Sequence, residues 1–463
     1  MLFASFVEAQ TLEDTDEMGF FDIQDGLGEE SFFAIDETEN NEERNKTEPD
    51  GIPAYSISGS IKQDFIYGIS EPGDEFNRNQ EGIEKIYSEF FLQARNSLNK
   101  NSKIKFSGVI NYDWGTWRNG AYSLGDTKAD FDLNDFFLDL TLDSGLWLRL
   151  GNQIVARGEI DSIKITDLVN PVDLSAPGQV ELKDIRMQVP ALLVSMPVGN
   201  ATGELIFTND AGSDKLGSES PGSAFDFSIL NSQIFALLPE GASVVLTDEE
   251  PQKSWEAIGR LNYKLNGGDF SMTAGEVNWN QSNIQTVIEG VPLQLAYGYD
   301  RVKVLGVSGN FVRSDYLFKY ETALRDGGKF QATEPFAPWI EHKEIAAAVG
   351  LDYSGLPETV LSAEFNTSNI LNYSDALARD KSESGYLLQA RWTGYNNLLS
   401  VYGAYNKFTT DDSSTATIFI EYDLTDSIRL DGSFVFYDAK SQEDLLFSFK
   451  DQDVVKASVR YSF

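Results

Sequence analysis

Nine cationic side chains, Arg95, Arg149, Arg157, Arg260, Lys264, Arg391, Arg429, Lys456 and Arg460, sit at polar positions of segments in which apolar and polar residues alternate. Six acids follow the same rule: Glu89, Asp135, Asp139, Glu256, Glu421 and Asp431. If the apolar positions face lipid, these polar ones face an enclosed interior. An arginine in such a place can hold a carboxylate or phosphate through paired, charge-assisted hydrogen bonds. The same cations can instead pair with the acids and tie neighbouring strands together. Both roles stay open at this point. One pair has a definite expected geometry. The turn Asp143-Ser144-Gly145 sets Asp139 opposite Arg149 on the interior face, where opposite charges contribute roughly 0.2–1 kcal/mol.

A second group of charges lies in a long connection, 159–186, which holds Glu159, Asp161, Lys164, Asp167, Asp173, Glu181, Asp184 and Arg186. A connection of that length is often functional. We expect it to fold inward as a constriction; an outer cap is the alternative. The other long connection, 210–254, runs from a Gly/Ser-rich stretch into Phe225–Leu238, whose apolar spacing is partly helical.

Catalysis and metal chemistry find little support. The chain has no cysteine and one histidine, His342, which excludes a thiolate nucleophile and a multi-His metal site. No Gly-x-Ser-x-Gly elbow is present. The acid clusters Asp248-Glu249-Glu250 and Asp411-Asp412, and Asp22-x-x-Asp25-Gly26, lack the spacing of a calcium loop. We expect no enzyme activity, no cofactor and no metal.

Alternation of this kind requires strands. In Ala457–Phe463, Ala457, Val459, Tyr461 and Phe463 alternate with Ser458, Arg460 and Ser462; Leu146–Arg157 reads the same way. About eighteen such segments (16–18) run from Tyr55 to Phe463, and short turns alternate with long connections, 116–129 and 280–300 among them, except for the short one at 409–414. That parity is the mark of an up-and-down antiparallel transmembrane β-barrel with short periplasmic turns and long outer loops. Strands of about 9–11 tilted residues cross a bilayer. Trp114, Trp117, Trp255, Trp279, Tyr353, Trp392, Tyr422 and Tyr461 lie near strand ends, where aromatic girdles form. No apolar run reaches the roughly 20 residues of a spanning helix.

The 463 residues carry 36 basic and 73 acidic side chains, a formal net charge of −37. That excess argues against nucleic acid, which needs a basic face. It is concentrated at one end: residues 10–50 hold 15 acids and only Arg44 and Lys46, a net of −13. We read 10–54 as an acidic tail that builds no core, and 1–9, ending Val7-Glu8-Ala9, as the remnant of a secretory signal. The barrel occupies 55–463.

The stretch from Gly151 to Thr208 resembles a known family. It carries Gly151 and Gln153 on a strand, Arg157-Gly158-Glu159 at a turn, Asn170-Pro171-Val172-Asp173, and Asp184-Ile185-Arg186 leading to Val189-Pro190. This pattern is similar to the domain-of-unknown-function 1302 family of Gram-negative outer-membrane proteins, which resemble alginate-export porins. Arg157 departs from it, since the family usually has tryptophan there. The resemblance implies an outer-membrane channel or export component and supplies no substrate. The terminal Phe463 resembles the signal that outer-membrane proteins present to the barrel assembly machinery.

These readings converge on a porin-like outer-membrane channel for polar or anionic solutes, with a lumen narrowed by a loop and lined by Arg95, Asp139, Arg149, Arg157, Arg260, Arg391, Arg429 and Arg460. The alternatives are an export conduit for lipid or hydrophobic molecules working with an inner-membrane transporter, and a plugged structural or adhesion barrel. Outer-membrane lipid is the expected surrounding partner, and the oligomeric state stays open.

Overall fold

The computed structural model describes residues 55–69, 81–118, 121–174, 185–209, 212–216, 244–248, 255–288, 293–334, 337–410, 412–441, 444, 446, 449–450 and 452–463. The signal remnant, the acidic tail, Asp184 and Phe225–Leu238 lie outside them.

Alternating, aromatic-rich segments form β1 (Tyr55–Gly68), β2 (Gly82–Asn99), β3 (Ser102–Arg118), β4 (Ala121–Thr141), β5 (Trp147–Gln153), β6 (Asp173–Leu174), β7 (Val189–Val198) and β8 (Ala201–Thr208). They continue as β9 (Lys215–Leu216), β10 (Val244–Asp248), β11 (Glu256–Leu265), β12 (Gly268–Ile288), β13 (Leu293–Arg313), β14 (Tyr316–Phe330) and β15 (Ile340–Leu356). The last are β16 (Thr359–Leu371), β17 (Ser382–Gly394), β18 (Leu399–Phe408), β19 (Ser414–Thr425), β20 (Ile428–Asp438) and β21 (Val454–Ser462).

Eighteen of these build the wall: β1–β5, β7, β8 and β11–β21, each antiparallel to the next. The sheet closes where β1 pairs with β21, from Ser60 opposite Ser462 to Gly68 opposite Val454. Closure leaves no strand edge to be satisfied in hydrocarbon. Gly59 and Phe463 exchange both backbone hydrogen bonds at 2.9 Å, and the Phe463 ring stacks on Phe90 at 6.4 Å. Outward positions expose large apolar side chains, among them Ile61, Phe65, Ile110, Phe131, Leu150, Leu305 and Val349. Lys62, Asp64, Asp139, Arg149, Glu321 and Glu364 are buried on the inner face. An apolar belt outside and charge inside is the inverse of a soluble core, and it matches a barrel in lipid.

The turns follow their residues. Asn266-Gly267 joins Leu265 to Gly268, and Gly267 has φ +86°, a positive value that favours glycine at the second central position of a turn. Two expectations are corrected. The segment expected as strand to Arg157 leaves the sheet after Gln153, because β7 pairs with β5 only as far as Val189 opposite Gln153. Two connections expected to be long, 116–129 and 280–300, are mostly strand. There β3 continues to Arg118 and β4 starts at Ala121, while β12 continues to Ile288 and β13 starts at Leu293. Irregularities such as that between Asn278 and Ser282 absorb residues that break the alternation.

The interior is not uniformly polar. Val155, Ile160, Ile163, Ile165, Leu168 and Val169 pack on Leu193, Ile206, Ile258, Val277, Val302, Val304, Ala323, Ala346 and Ala348 of the wall. A second apolar cluster joins Val172 and Ile185 to Ile66, Val435, Leu446 and Phe449.

Candidate functional site

The chain that leaves β5 at Gln153 turns into the barrel and returns to the wall at Val189, and its neck is held by Asn170. The Asn170 amide oxygen accepts from Val155 N at 2.7 Å, and its amide nitrogen donates to Met187 O at 2.7 Å and Gln153 O at 3.3 Å. One buried side chain thus replaces ladder bonds that both ends of the connection give up. Lys164 Nζ donates to Asn170 O at 2.6 Å, closing the turn from the other side.

The tip is received by two wall carboxylates. Glu321 on β14 accepts from Glu159 N at 3.0 Å, Thr166 N at 2.5 Å and Thr166 Oγ1 at 2.6 Å. Glu364 on β16 accepts from Asp161 N at 3.0 Å and Ser162 N at 2.8 Å. Lys319 completes this anchor, with Nζ 2.8 Å from Glu364, 3.1 Å from Asp161 and 3.5 Å from Asp352. Higher on β14, Arg325 donates to Lys164 O and to Glu344, the latter at 3.1 Å. Arg379 reaches Glu344 at 3.1 Å and Glu383 at 2.7 Å. Buried charges are tolerable here because each is met by an opposite charge or a backbone donor.

Among the described residues, which leave out Glu181 and Asp184, the other charges expected in the connection also find partners, as does Arg157 just before it. Arg157 forms a two-pronged pair with Glu204 of β8, at 2.8 and 3.1 Å. Glu159 accepts from Asn310 at 2.9 Å and lies 3.7 Å from Arg260. Arg186 binds Asp167 at 2.9 Å. Asp173 pairs with Lys215 at 2.7 Å where β6 runs beside β9. Residues 157–166 are therefore bonded to β8, β13, β14 and β16, one arc of the wall.

On the wall itself, Asp139 lies directly opposite Arg149, joined at 2.7 and 3.0 Å. Arg260 donates to Ser271 at 2.8 Å. Arg429 holds Asp423 at 2.6 and 3.1 Å and lies 3.5 Å from Glu421, and Arg460 lies 4.0 Å from Asp431. Arg391 sits 5.3 Å from the Tyr402 ring, and Tyr402 stacks on Phe419 at 5.9 Å. Arg95 is in register with Ser56 on one side and Lys105 on the other, and Lys105 bonds Asp135 at 2.7 Å. Most of the expected arginines thus carry an acid partner.

The family model for DUF1302, a protein of unknown function, matches residues 93–463. The chain belongs to the DUF1302 family. No curated protein matches it. Among solved structures, the fold of this DUF1302 chain is similar to Acinetobacter baumannii OccAB3, with a TM-score of 0.51 at 8% identity, covering 88% of this chain and 99% of that one. It is similar also to Pseudomonas aeruginosa OccK5 (OpdH), with a TM-score of 0.51 at 11% identity over 88% and 98% of the two chains. The DUF1302 chain thus has the fold of a closed antiparallel β-barrel, with eighteen wall strands among the described residues and an apolar outer belt of the kind that faces lipid.

Lys319, Glu321, Arg325, Asp352 and Glu364 escaped the sequence reading, although they obey the same alternation on β14, β15 and β16. The signal was present in Lys319-x-Glu321-x-x-x-Arg325. What it could not convey is that these residues meet a connection more than 150 positions away.

Proposed function

We propose that this DUF1302 protein is an outer-membrane channel that passes polar or anionic solutes through a lumen narrowed by the segment 154–172. The observation that carries the reading is the anchoring of that segment inside the barrel. Its bonds at 157–166 run to β8, β13, β14 and β16, and Val172 at its other end packs on Ile66 of β1 and Val435 of β20, so solute passes along the wall on either side of a segment that crosses the lumen. Arg391, Arg429, Lys456, Arg460, Arg95 and Lys105 face that path. Although several are paired, a guanidinium with a carboxylate on one edge keeps donors on the other.

The apolar cluster inside the barrel favours a second reading, a plugged barrel whose outer loops do the work. Single-channel conductance in a planar bilayer with a salt gradient separates the two. An open conductance with anion preference is expected. Cation preference would overturn the assignment of the solute, and silence in every condition would transfer the weight to the plugged barrel.

A further inference from the structure

We propose that the barrel wall has a lateral portal between β4 and β7, in the outer part of the apolar belt, through which a molecule with one hydrocarbon chain and a polar head passes between the interior and the surrounding lipid. The inference goes beyond the channel reading and does not rest on it.

The wall is uneven in height. β5, β7, β8 and β11 have 7, 10, 8 and 10 residues, and they stand between β4 and β12 of 21 each. The lowest point is at β5. Its pairing with β4 stops at Asn152 opposite Phe136, and its pairing with β7 stops at Gln153 opposite Val189, where the chain leaves for the interior. Seven residues at a tilt of about 40° climb roughly 18 Å, whereas the apolar band of such a barrel is about 25 Å tall. The outward residues of β4 agree, for beyond Phe136 they stay apolar and exposed, at Leu133 and Phe131. Among the described residues this stretch of β4 pairs only with β3. On the far side of the dip the belt has already ended: outward Glu276 bonds Arg301 at 2.9 Å just where β11 stops beside β12. The dip therefore reaches hydrocarbon only beside β4.

A strand edge at that depth needs its backbone groups satisfied. The Asn152 amide supplies part of this, donating to Leu133 O at 3.2 Å and to Asn134 O at 2.5 Å, so a side chain caps the edge where a strand would otherwise continue. The two faces of the edge differ. Phe131 and Leu133 point to lipid, Asp130 and Asp132 point inward, and residues 127–133 are exposed throughout. Asp130 lies 3.3 Å from Lys128, and Asp132 accepts from Asn111 at 3.5 Å, both at exposed positions. Just inside, Ile154 and Ala156 are half-buried beside the cluster of Val155, Ile160 and Leu193. A hydrocarbon chain that passes Leu133 thus exchanges lipid for the apolar flank of the inward segment, at little cost. Its head meets water and carboxylates at Asp130 and Asp132. A wholly polar solute gains nothing from Phe131 and Leu133, and a wholly apolar one must desolvate the two acids. The amphipathic class suits both faces.

Photolabelling of the full chain in phospholipid vesicles tests the portal, with a monoacylglycerol that carries a diazirine at the end of its chain and peptide mass spectrometry as the readout. Asp130, Asp132 and the stretch from Ile154 to Ala156 should be labelled in addition to outward residues such as Val349. Glu421 and Asp423, inward carboxylates of β19, should be labelled several-fold less, and because all four are carboxylates, reactivity does not explain the difference. Label confined to outward residues overturns the proposal. Equal label at Glu421 and Asp423 overturns it too, since the probe would then have entered through a mouth. F131N/L133N makes the approach polar and leaves the inner face alone. It should lower the label at Asp130 and Asp132 several-fold and leave that at Val349 unchanged; undiminished label at the two acids refutes the portal. Should F131N/L133N fail to insert, the wild-type pattern decides by itself. Conductance does not enter the readout, so a silent barrel would count against the channel reading and not against the portal.

Discussion

Arg149 meets Asp139 with two parallel hydrogen bonds, at 2.7 and 3.0 Å, and its guanidinium lies 3.9 Å from the centre of the Phe137 ring. Both charges are buried, at 5% and 6% exposure. Removing one partner strands the other, so Arg149→Ala should cost about 3–5 kcal/mol. Asp139→Asn keeps the side-chain shape and one of the two acceptors, and should cost less. Urea unfolding of the refolded barrel measures both. Equal and negligible losses would mean that water compensates each charge at the mouth.

Gly306 is where β13 admits the inward segment. A Cβ there would lie 2.5 Å from Thr166 Cγ2. Gly306→Val should therefore push Thr166 off Glu321, with an overpacking cost of about 1–3 kcal/mol. The barrel should still fold, because the severe contact is with the inward segment, while Thr322 O on the neighbouring strand lies 3.2 Å from the added Cβ. Larger and noisier single-channel currents are the expected outcome, and wild-type currents would count against the segment as the narrowing element.

Lys319 is the sole cation bonded to Asp161, Asp352 and Glu364 among the described residues. Lys319→Met leaves three carboxylates crowded together, and the loss should be about 3–5 kcal/mol. Adding Glu364→Gln should restore part of it, since repulsion and not packing is then the fault. A double-mutant cycle in unfolding free energy reads the rescue directly. No rescue would place the cost in the lysine's stem instead.

Asp444 lies in the outer connection between β20 and β21. Burial alone would raise its carboxyl, but the backbone N–H groups of Ser441 and Lys440, with help from the Ser441 hydroxyl, hold it below the ordinary aspartate range. They donate to it at 2.7, 2.6 and 2.9 Å. A depressed folded value gives stabilisation that is complete above the unfolded value of about 3.9 and lost as pH falls through the folded one. Exchange protection at the Lys440 and Ser441 amides should accordingly hold at neutral pH and fade below about pH 4. Asp444→Asn should weaken the protection and remove this pH dependence.

Much of this protein is written locally. Alternation at period two, turns such as Asn266-Gly267, and the parity of short and long connections determine eighteen strands and their facing, because each depends only on neighbours in the chain and on an apolar solvent outside. The pairing of Asp139 with Arg149 belongs to the same class, since a hairpin turn sets register by itself. The path of residues 154–172 does not. Its apolar residues, Ile160, Ile163, Ile165 and Leu168, read as strand or loop equally well, and they have meaning only once β13, β14 and β15 curve round to offer small inner residues such as Ala323, Ala346 and Ala348. Likewise Lys319, Glu321 and Glu364 are ordinary inner charges until closure of the sheet carries them to Asp161 and Thr166. Closure is a global condition: the last strand must meet the first before the interior has a shape. Only the tertiary structure could therefore decide which inner charges hold the segment and which line the path beside it.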